Sequence, residues 1–365
     1  MGHKEMNRKK KVIVAMSGGV DSSVAAVLLK EQGHEVIGVI MRIWGGDGPM
    51  EEGGRHACYG PGEEEDIDDA RRVAGRLEIP FHVFDLREDY RATVLDYTRL
   101  EYLSGRTPNP CIRCNQMVKL GGLLEKVRDS GLIFDHVATG HYARVKYDGE
   151  RQRYLLMKAR DLEKDQSYGL YSLSQEQLGI CLFPLGGHTK QEVRERAVDA
   201  GLEVSDKIES QDFMAGGHAR LFEAAARPGP ILDHQGRTIG EHRGIPFYTI
   251  GQRRGLGLPS SEPFYVMDID QTRNAVIVGT KAKLYKSACT ASGLNWISIK
   301  ELEDPIEVKA KIRYRHEEAG VTIAPLEDDR VRVHFEKPQM AITPGQAIVF
   351  YDDDVIVGGG TIELG

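Results

Sequence analysis

The sequence predicts an α/β chain: a doubly wound parallel sheet, then a small β-rich central domain, then a C-terminal antiparallel β-barrel. Three observations carry this. Up to about Gly201, short apolar strand-like runs alternate with segments of helical periodicity. After about Ile208 the periodicity disappears, and Gly, Pro and short β-like pieces dominate, as in RPGPILDHQGRTIGEHRGIPFYTIGQRRGLGLP. From about Tyr285, alternating segments such as VKAKIRYRH, VTIAPL, VRVHFEK and AIVFYDDDVIVGGGTIEL are separated by turn residues, the pattern of a small barrel. The domains are therefore expected at 1–207, 208–282 and 283–365.

The elements follow in order. Val12 to Ala15 is a short buried apolar run, Ser22 to Gln32 has apolar residues at helical spacing, and Gly33 stops it. Glu35 to Trp44 is again β-like. An Asp-rich segment then opens a second helix, and a strand runs from Phe81 to Phe84. FDHVATGHYARV repeats the unit, and a further helix is expected from about Thr189 to Gly201.

Composition narrows the class. A chain of 365 residues exceeds what one core usually supports. No apolar run approaches the ~18 residues that span a bilayer, and the basic start MGHKEMNRKKK lacks the apolar stretch of a signal peptide. A cytoplasmic protein without a membrane partner is expected. The net charge of −7 argues against indiscriminate coating of nucleic acid, and none of the three expected domains is basic, so RNA contact must come from local patches. Five cysteines are too few and too odd in number for a disulfide framework, and Cys111 and Cys114 stand at C-x-x-C spacing, which in a reducing compartment more often means metal or redox chemistry.

SGGVDSS, Ser17 to Ser23, sits between a strand and a helix, where backbone N–H groups and the helix N-terminus form an anion site. It lacks the G-x-x-x-x-G-K-[ST] pattern of the Walker loop. The seven residues resemble the pyrophosphate loop (PP-loop) of the ATP-pyrophosphatases, the adenine-nucleotide α-hydrolase-like fold, whose members cleave ATP between the α and β phosphates and adenylate a carbonyl oxygen. That resemblance implies ATP and Mg²⁺ at Ala15, Met16, Ser17, Gly18, Gly19, Val20, Asp21 and Ser22, with Met41 near adenine. The resemblance also implies a catalytic role for Asp21.

Seven further segments, TPNPCIRCN, ATGHYARV, KDQSY, ESQDF, YTIGQRRGLG, KIRYRH and PGQAIVFYD, stand in an order that resembles the tRNA-specific 2-thiouridylases along essentially the whole chain. The resemblance implies a tRNA-uridine 2-sulfurtransferase that replaces O2 of the wobble uridine in tRNAs for Lys, Glu and Gln. It assigns Gly140 to ATP, and His141, Lys164, Asp165, Gln166, Asn109, Pro110 and Cys111 to tRNA, the last three around the extruded base. Without it, His141 reads as a hydrogen-bonded histidine at a strand end. In the barrel, Lys309, Lys311, Arg313 and Arg315 alternate and would share one face of a strand. A solvated face is the bland alternative; beside Tyr314, the resemblance makes Arg313, Tyr314 and Gln346 anticodon stem-loop contacts. Gln252, Arg253 and Arg254 form a second basic spot.

The cysteines depart from the family pattern. Better-known members have Asp at the place of Cys111, a cysteine at Cys114, and a second catalytic cysteine in a segment reading SQDIC; here that segment ends in Met214. The usual scheme, one cysteine carrying a persulfide and the other resolving it, cannot run unchanged. Three alternatives stand. Cys58, Cys111 and Cys114 hold a 4Fe-4S cluster whose open iron binds sulfide; Cys114 carries the persulfide and Cys111 resolves it; or His56, Cys58, Cys111 and Cys114 bind a structural zinc. The sulfur donor is sulfide or a persulfide relay from a cysteine desulfurase. Cys181 and Cys289 read as inert buried thiols. Two other functions compete: a PP-loop ligase or thiolase for a small molecule, and a non-catalytic tRNA-binding or cluster-sensing protein.

Overall fold

The computed structural model describes residues 9–46, 57–207, 212–259 and 262–363. The chain divides into two compact units, neither of them one continuous stretch. The first comprises residues to Thr93, Cys111–Gly217 and Asp354–Ile356; the second comprises Val94–Pro110, His218–Asp353 and Val357 onward.

The first unit is built on a parallel sheet. Strand β1 (Lys11–Ala15) leads into helix α1 (Val20–Glu31) and strand β2 (Glu35–Arg42). The three-residue strand β3 (Ala57–Tyr59), helix α2 (Glu63–Arg76), β4 (Phe81–Asp85) and β5 (His136–Thr139) follow. After the hairpin β6 (Arg144–Asp148) and β7 (Arg153–Met157) come β8 (Cys181–Leu182), α3 (Lys190–Asp199) and β9 (Asp212–Met214). The sheet order is β4-β2-β1-β5-β8, with all pairings parallel. Two-sided burial explains the uninterrupted apolar runs: Val12, Ile13 and Val14 are fully buried, with Val24, Ala25, Ala26, Ile67 and Ala70 on the covering helices. The chain runs from β1 outward in both directions, so the crevice beyond the C-terminal ends of β1 and β5 is the place where such sheets bind ligands.

Helix α3 starts one residue later than expected because Thr189 is its cap: Thr189 Oγ1 accepts from Glu192 N–H at 3.2 Å and the Glu192 carboxylate accepts from Thr189 N–H at 2.8 Å.

The second unit holds a four-stranded sheet in the order β11-β10-β13-β12, from β10 (Gly229–Leu232), β11 (Thr238–His242), β12 (Tyr265–Asp270) and β13 (Ala275–Gly279). It also holds the expected barrel, of β14 (Tyr285–Trp296), β15 (Ile306–Lys311), β16 (Ala319–Leu326), β17 (Arg330–Met340), β18 (Ala347–Asp352) and β19 (Val355–Glu363). The order β14-β17-β16-β15-β18-β19 closes by β14 pairing back to β19. Val331, Val333 and Phe335 alternate inward along β17 and pack on Ile323 and Phe350.

The expected basic stripe is broken by the end of its strand. β15 ends at Lys311, and Arg313 to Arg315 lie in the turn before β16, where His316 N–H bonds to the Arg313 carbonyl at 3.0 Å. Buried Ile312 anchors that turn, and Lys311 covers the Tyr351 ring at 5.6 Å. The four cations therefore do not share one strand face.

In the same unit, two segments singled out in the sequence pack on one another. Thr107 N–H bonds to the Pro344 carbonyl at 2.9 Å, and Gln346 Nε2 donates to the Thr107 carbonyl at 2.9 Å. Gly345, at φ +88°, is required: a Cβ there would lie 2.9 Å from Thr107 N. Arg106 adds a bridge to Glu363 at 2.7 Å and to Glu101 at 2.8 Å. Gln346 thus has a structural task, holding the TPNP backbone.

Candidate active site

The turn after β1 is fastened by its own hydroxyls. Ser22 Oγ accepts from Ser17 N–H at 3.1 Å and donates to the Gly19 carbonyl at 3.3 Å, and Ser23 Oγ donates to the same carbonyl at 2.8 Å. Gly18 has φ +66° and lies so close to α2 that a Cβ would sit 2.4 Å from the Asp66 carbonyl oxygen. Gly19 caps α1 without a side-chain bond, so the first N–H groups of a 12-residue helix point at the crevice. Gly140 closes the turn from behind: its Cβ would lie 2.6 Å from Ser22 N.

Asp21, in the first turn of α1, is held by two donors. Lys190 Nζ lies 2.8 Å and 3.0 Å from its carboxylate oxygens, and Tyr142 Oη donates to it at 2.9 Å. Lys190 was not singled out in the sequence. The T-K-Q-E capping pattern, which places Lys190 at the start of α3, was the available signal.

A cavity of about 240 Å³ opens at this crevice. It is lined by Ala15, Met16, Ser17, Asp21, Ser22 and Met41, by Thr139, Gly140, His141 and Gln166, and by Cys58, Glu63, Asp66, Tyr90, Cys114 and Lys119. Most of the residues expected around ATP therefore converge, with Gly18, Gly19 and Val20 shaping the turn. Glu63 fixes the end of β2 by accepting from Ile43 N–H at 2.6 Å and Trp44 N–H at 2.9 Å. Burial pushes its pKa up in spite of those bonds.

His141 belongs to the same cavity. Its Nδ1 lies 2.7 Å from Thr139 Oγ1, and desolvation, with the nearby Lys119 charge, drives its pKa well below the ordinary value, so the ring is neutral. The hydrogen-bonded histidine at a strand end is thus what the structure shows, at the edge of the cavity. Gln166 also lines it, with Oε1 accepting from Tyr142 N–H at 3.0 Å. Asp165 differs from the expectation of a tRNA contact: it is buried, and its carboxylate accepts from Ala159 N–H at 2.9 Å and Ser167 Oγ at 2.8 Å. It organises the loop from Ala159 to Ser167.

The thiols come from two elements. A short helix, Pro110–Arg113, carries Cys111, and a π-helix, Cys114–Gly122, begins at Cys114. The wide turn of a π-helix, with i→i+5 backbone bonds, brings Lys119 to the same side as Cys114, and both line the cavity. Lys119 Nζ donates to Asn115 Oδ1 at 3.1 Å, and Asn115 in turn donates to the Gly169 carbonyl at 3.0 Å. Desolvation raises the Cys114 pKa to about 11; Lys119 opposes that rise and charge on Cys58 adds to it. Cys111 reaches solvent at its surface but is densely surrounded by protein, and that desolvation, then the charges of Cys58 and Cys114, push it to about 12.

Removing the Lys119 charge leaves the Cys114 thiolate without its cation, so its pKa must rise further. Lys119→Met is expected to slow alkylation of Cys114 by iodoacetamide at pH 8 by up to about tenfold per unit of added shift, and to move the midpoint of the rate–pH profile upward. An unchanged profile would remove Lys119 from this role.

The expected 4Fe-4S triad does not fit. Cys58, Cys111 and Cys114 feel one another's charge, but Cys58 and Cys114 line the cavity and Cys111 does not. Among the described residues no group of three or more His, Cys, Asp or Glu side chains is arranged to hold a metal ion. His56, the fourth ligand in the zinc alternative, lies outside the described residues. No disulfide joins the five cysteines, and Cys181 and Cys289 are buried, as expected of inert thiols. Asn109, Pro110, Arg313, Tyr314 and Gln346 belong to the second unit. Among the described residues, no helix is long and apolar enough to cross a membrane.

An anion-binding turn at the switch point of a parallel sheet, with an acidic side chain and thiols in one crevice, defines a nucleotide-binding α/β domain of the HUP class, here followed by two β domains. Residues 10–214 match the family described as the tRNA methyl transferase HUP domain. Residues 222–280 match its PRC-barrel domain, and 286–362 the aminomethyltransferase β-barrel domain. The tRNA-specific 2-thiouridylase MnmA of Moorella thermoacetica is 52% identical over 358 residues, 96% of this chain and 99% of that protein. The tRNA-specific 2-thiouridylase MnmA 1 of Caldanaerobacter subterraneus subsp. tengcongensis is 49% identical over 98% of this chain and 99% of its own length. The MnmA of Acetivibrio thermocellus is 47% identical over 97% and 99%. The chain belongs to the tRNA-specific 2-thiouridylase family.

Proposed function

We propose that this protein forms 2-thiouridine at the wobble position of tRNA, consuming ATP. The observation that carries the reading is one cavity holding both halves of the chemistry, the phosphate turn with Asp21 and the thiol Cys114 beside Lys119.

A pyrimidine C2 carbonyl is a poor electrophile. Adenylation of O2 turns that oxygen into a leaving group, with pyrophosphate departing from the α-phosphorus of ATP. The N-terminal N–H groups of α1 and the turn meet the charge on the phosphates. Asp21 and the hydroxyls of Ser17 and Ser22 are oxygen donors of the kind Mg²⁺ takes alongside phosphate, and Mg²⁺ supplies charge neutralisation there. With nucleotide bound, Lys190 exchanges part of its contact with Asp21 for phosphate oxygens. His141, being neutral, can accept or donate a hydrogen bond without repelling the nucleotide or the base. Sulfane sulfur from a persulfide donor reaches C2 by way of Cys114, the donor leaving as a thiolate, and AMP leaves. Persulfide and disulfide chemistry is the reading the thiols support.

For tRNA, Cys111, His141, Lys164 and Gln166 of the first unit are proposed to flank the extruded uridine; in the second unit, Asn109 and Pro110 are proposed as tRNA contacts in their own right. Arg313 and exposed Tyr314, on the turn before β16, are proposed for the anticodon stem. Arg313→Ala is expected to weaken binding of unmodified tRNA by roughly 1–2 kcal/mol and to lower the slope of log K against log salt by about one. Equal affinity and slope would remove this turn from the interface.

The deciding assay supplies unmodified tRNA, ATP, Mg²⁺ and a sulfur donor, and measures 2-thiouridine and AMP. Stoichiometric, tRNA-dependent appearance of both supports the reading. AMP release without tRNA points instead to a small-molecule substrate, and methylated uridine without AMP to a methyl transfer of the kind named in the family descriptions.

A further inference from the structure

The resemblance to the 2-thiouridylases implies a second cysteine as partner of Cys114 at the place where this chain has Met214. Resting on the thiolation reading, we propose that Cys58, rather than Cys111, is the thiol that releases sulfur from Cys114.

The placement of Cys58 is the first argument. It lines the cavity together with Cys114, Asp21 and Met41, whereas Cys111 does not. The second is topology. Cys58 is the middle residue of β3, and β3 pairs in parallel with β9 in the register Ala57↔Asp212 and Tyr59↔Met214. The vacated position is level with Tyr59, so Cys58, the next residue along, turns to the opposite face of the strand pair and lines the cavity, which Met214 does not. Met214 itself is buried and lines no part of the cavity. Third, β3 is fixed in place: Tyr59 stacks on buried Tyr90 with centroids 5.4 Å apart and rings 7° from parallel. Tyr90 lines the cavity as well, and after desolvation the charges of all three thiols raise its pKa, so these groups are close neighbours.

The chemistry balances. A persulfide donor transfers its sulfane sulfur to the Cys114 thiolate and leaves as a thiolate. The terminal sulfur of the Cys114 persulfide attacks C2 of the adenylated uridine, and AMP departs with the former O2, leaving C2–S–Sγ. The Cys58 thiolate then attacks Sγ of Cys114. The S–Sγ bond breaks, its electron pair stays on the sulfur bound to C2, and 2-thiouridine leaves. The sulfane sulfur has gained two electrons and Cys58 and Cys114 have lost two as a disulfide, which a dithiol reductant resets.

The test is a single turnover of the full chain preloaded with inorganic polysulfide, without reductant, followed by peptide mapping. Wild type is expected to give 2-thiouridine and a Cys58–Cys114 disulfide. Cys58→Ser is expected to release product at least about tenfold less and to accumulate tRNA bound covalently to Cys114, freed as 2-thiouridine by dithiothreitol. A Cys111–Cys114 disulfide in wild type, or free product from Cys58→Ser with no adduct, overturns the role of Cys58 and leaves the thiolation reading standing. No 2-thiouridine from wild type overturns both.

Discussion

Cys114→Ser is expected to lower 2-thiouridine formation by at least about 10³-fold, to background, because a hydroxyl cannot carry sulfane sulfur. The side chain is nearly isosteric, so the loss cannot be charged to packing. Cys114 begins a π-helix, borders the cavity that contains the phosphate turn, and has Lys119 on the same side of that helix. Its pKa of about 11 keeps the unloaded thiol protonated at neutral pH, and Lys119 lowers the cost of charging it when sulfur arrives. Cys289→Ala, in the barrel core, is the control: it costs stability of order 1 kcal/mol and leaves thiolation intact. The measurement is single-turnover 2-thiouridine with excess enzyme. Product from Cys114→Ser at near wild-type rate would assign the sulfur carrier elsewhere.

The parallel sheet and the barrel were legible because burial on both faces and alternation along β17 write themselves into the residue pattern. The turn after β1 was legible because its glycines and hydroxyls act on one another over seven residues. Other features depend on geometry that pattern does not encode. Alternation through Arg315 looks like a strand, yet β15 stops at Lys311 and the next residues turn around buried Ile312. Val94–Pro110 interrupts the first unit in sequence but packs in the second, where Tyr102 stacks on His218 and lies against Phe222.

The site shows the same division. C-x-x-C drew Cys111 and Cys114 together by spacing, but the cavity pairs Cys114 with Cys58, more than fifty residues away in sequence. Lys119 comes to the side of Cys114 through the wide π turn, whereas α-helical spacing would have favoured i+3 or i+4. The Lys190–Asp21 contact spans 169 residues and joins α3 to α1. An invisible partner of that kind needs the fold before it can be named.

Gly140→Ala is expected to reduce tRNA-dependent AMP formation by about 10²-fold or more, since a displacement near 1 Å at reacting groups costs that much. No ATP-binding atom belongs to a Gly140 side chain, so the effect must be transmitted through backbone. A Cβ on Gly140 would stand 2.6 Å from Ser22 N, 2.8 Å from the Asp21 carbonyl carbon and 3.0 Å from Ser22 Cα. All three are main-chain atoms at the start of α1, and no flexible side-chain end is available to give way. Either the turn or β5 moves, and both hold the cavity: Asp21 loses its aim toward Lys190 and Tyr142, and the α1 N–H groups shift from the phosphates. The strain is of order 1–3 kcal/mol, enough to lower the melting temperature without unfolding the unit. Gly149→Ala, at an exposed turn where a Cβ meets nothing within 4 Å, is the control and retains activity. The readouts are AMP release, KM for ATP and thermal unfolding. A Gly140→Ala enzyme with wild-type KM and rate would mean that β5 does not set the geometry of the phosphate turn.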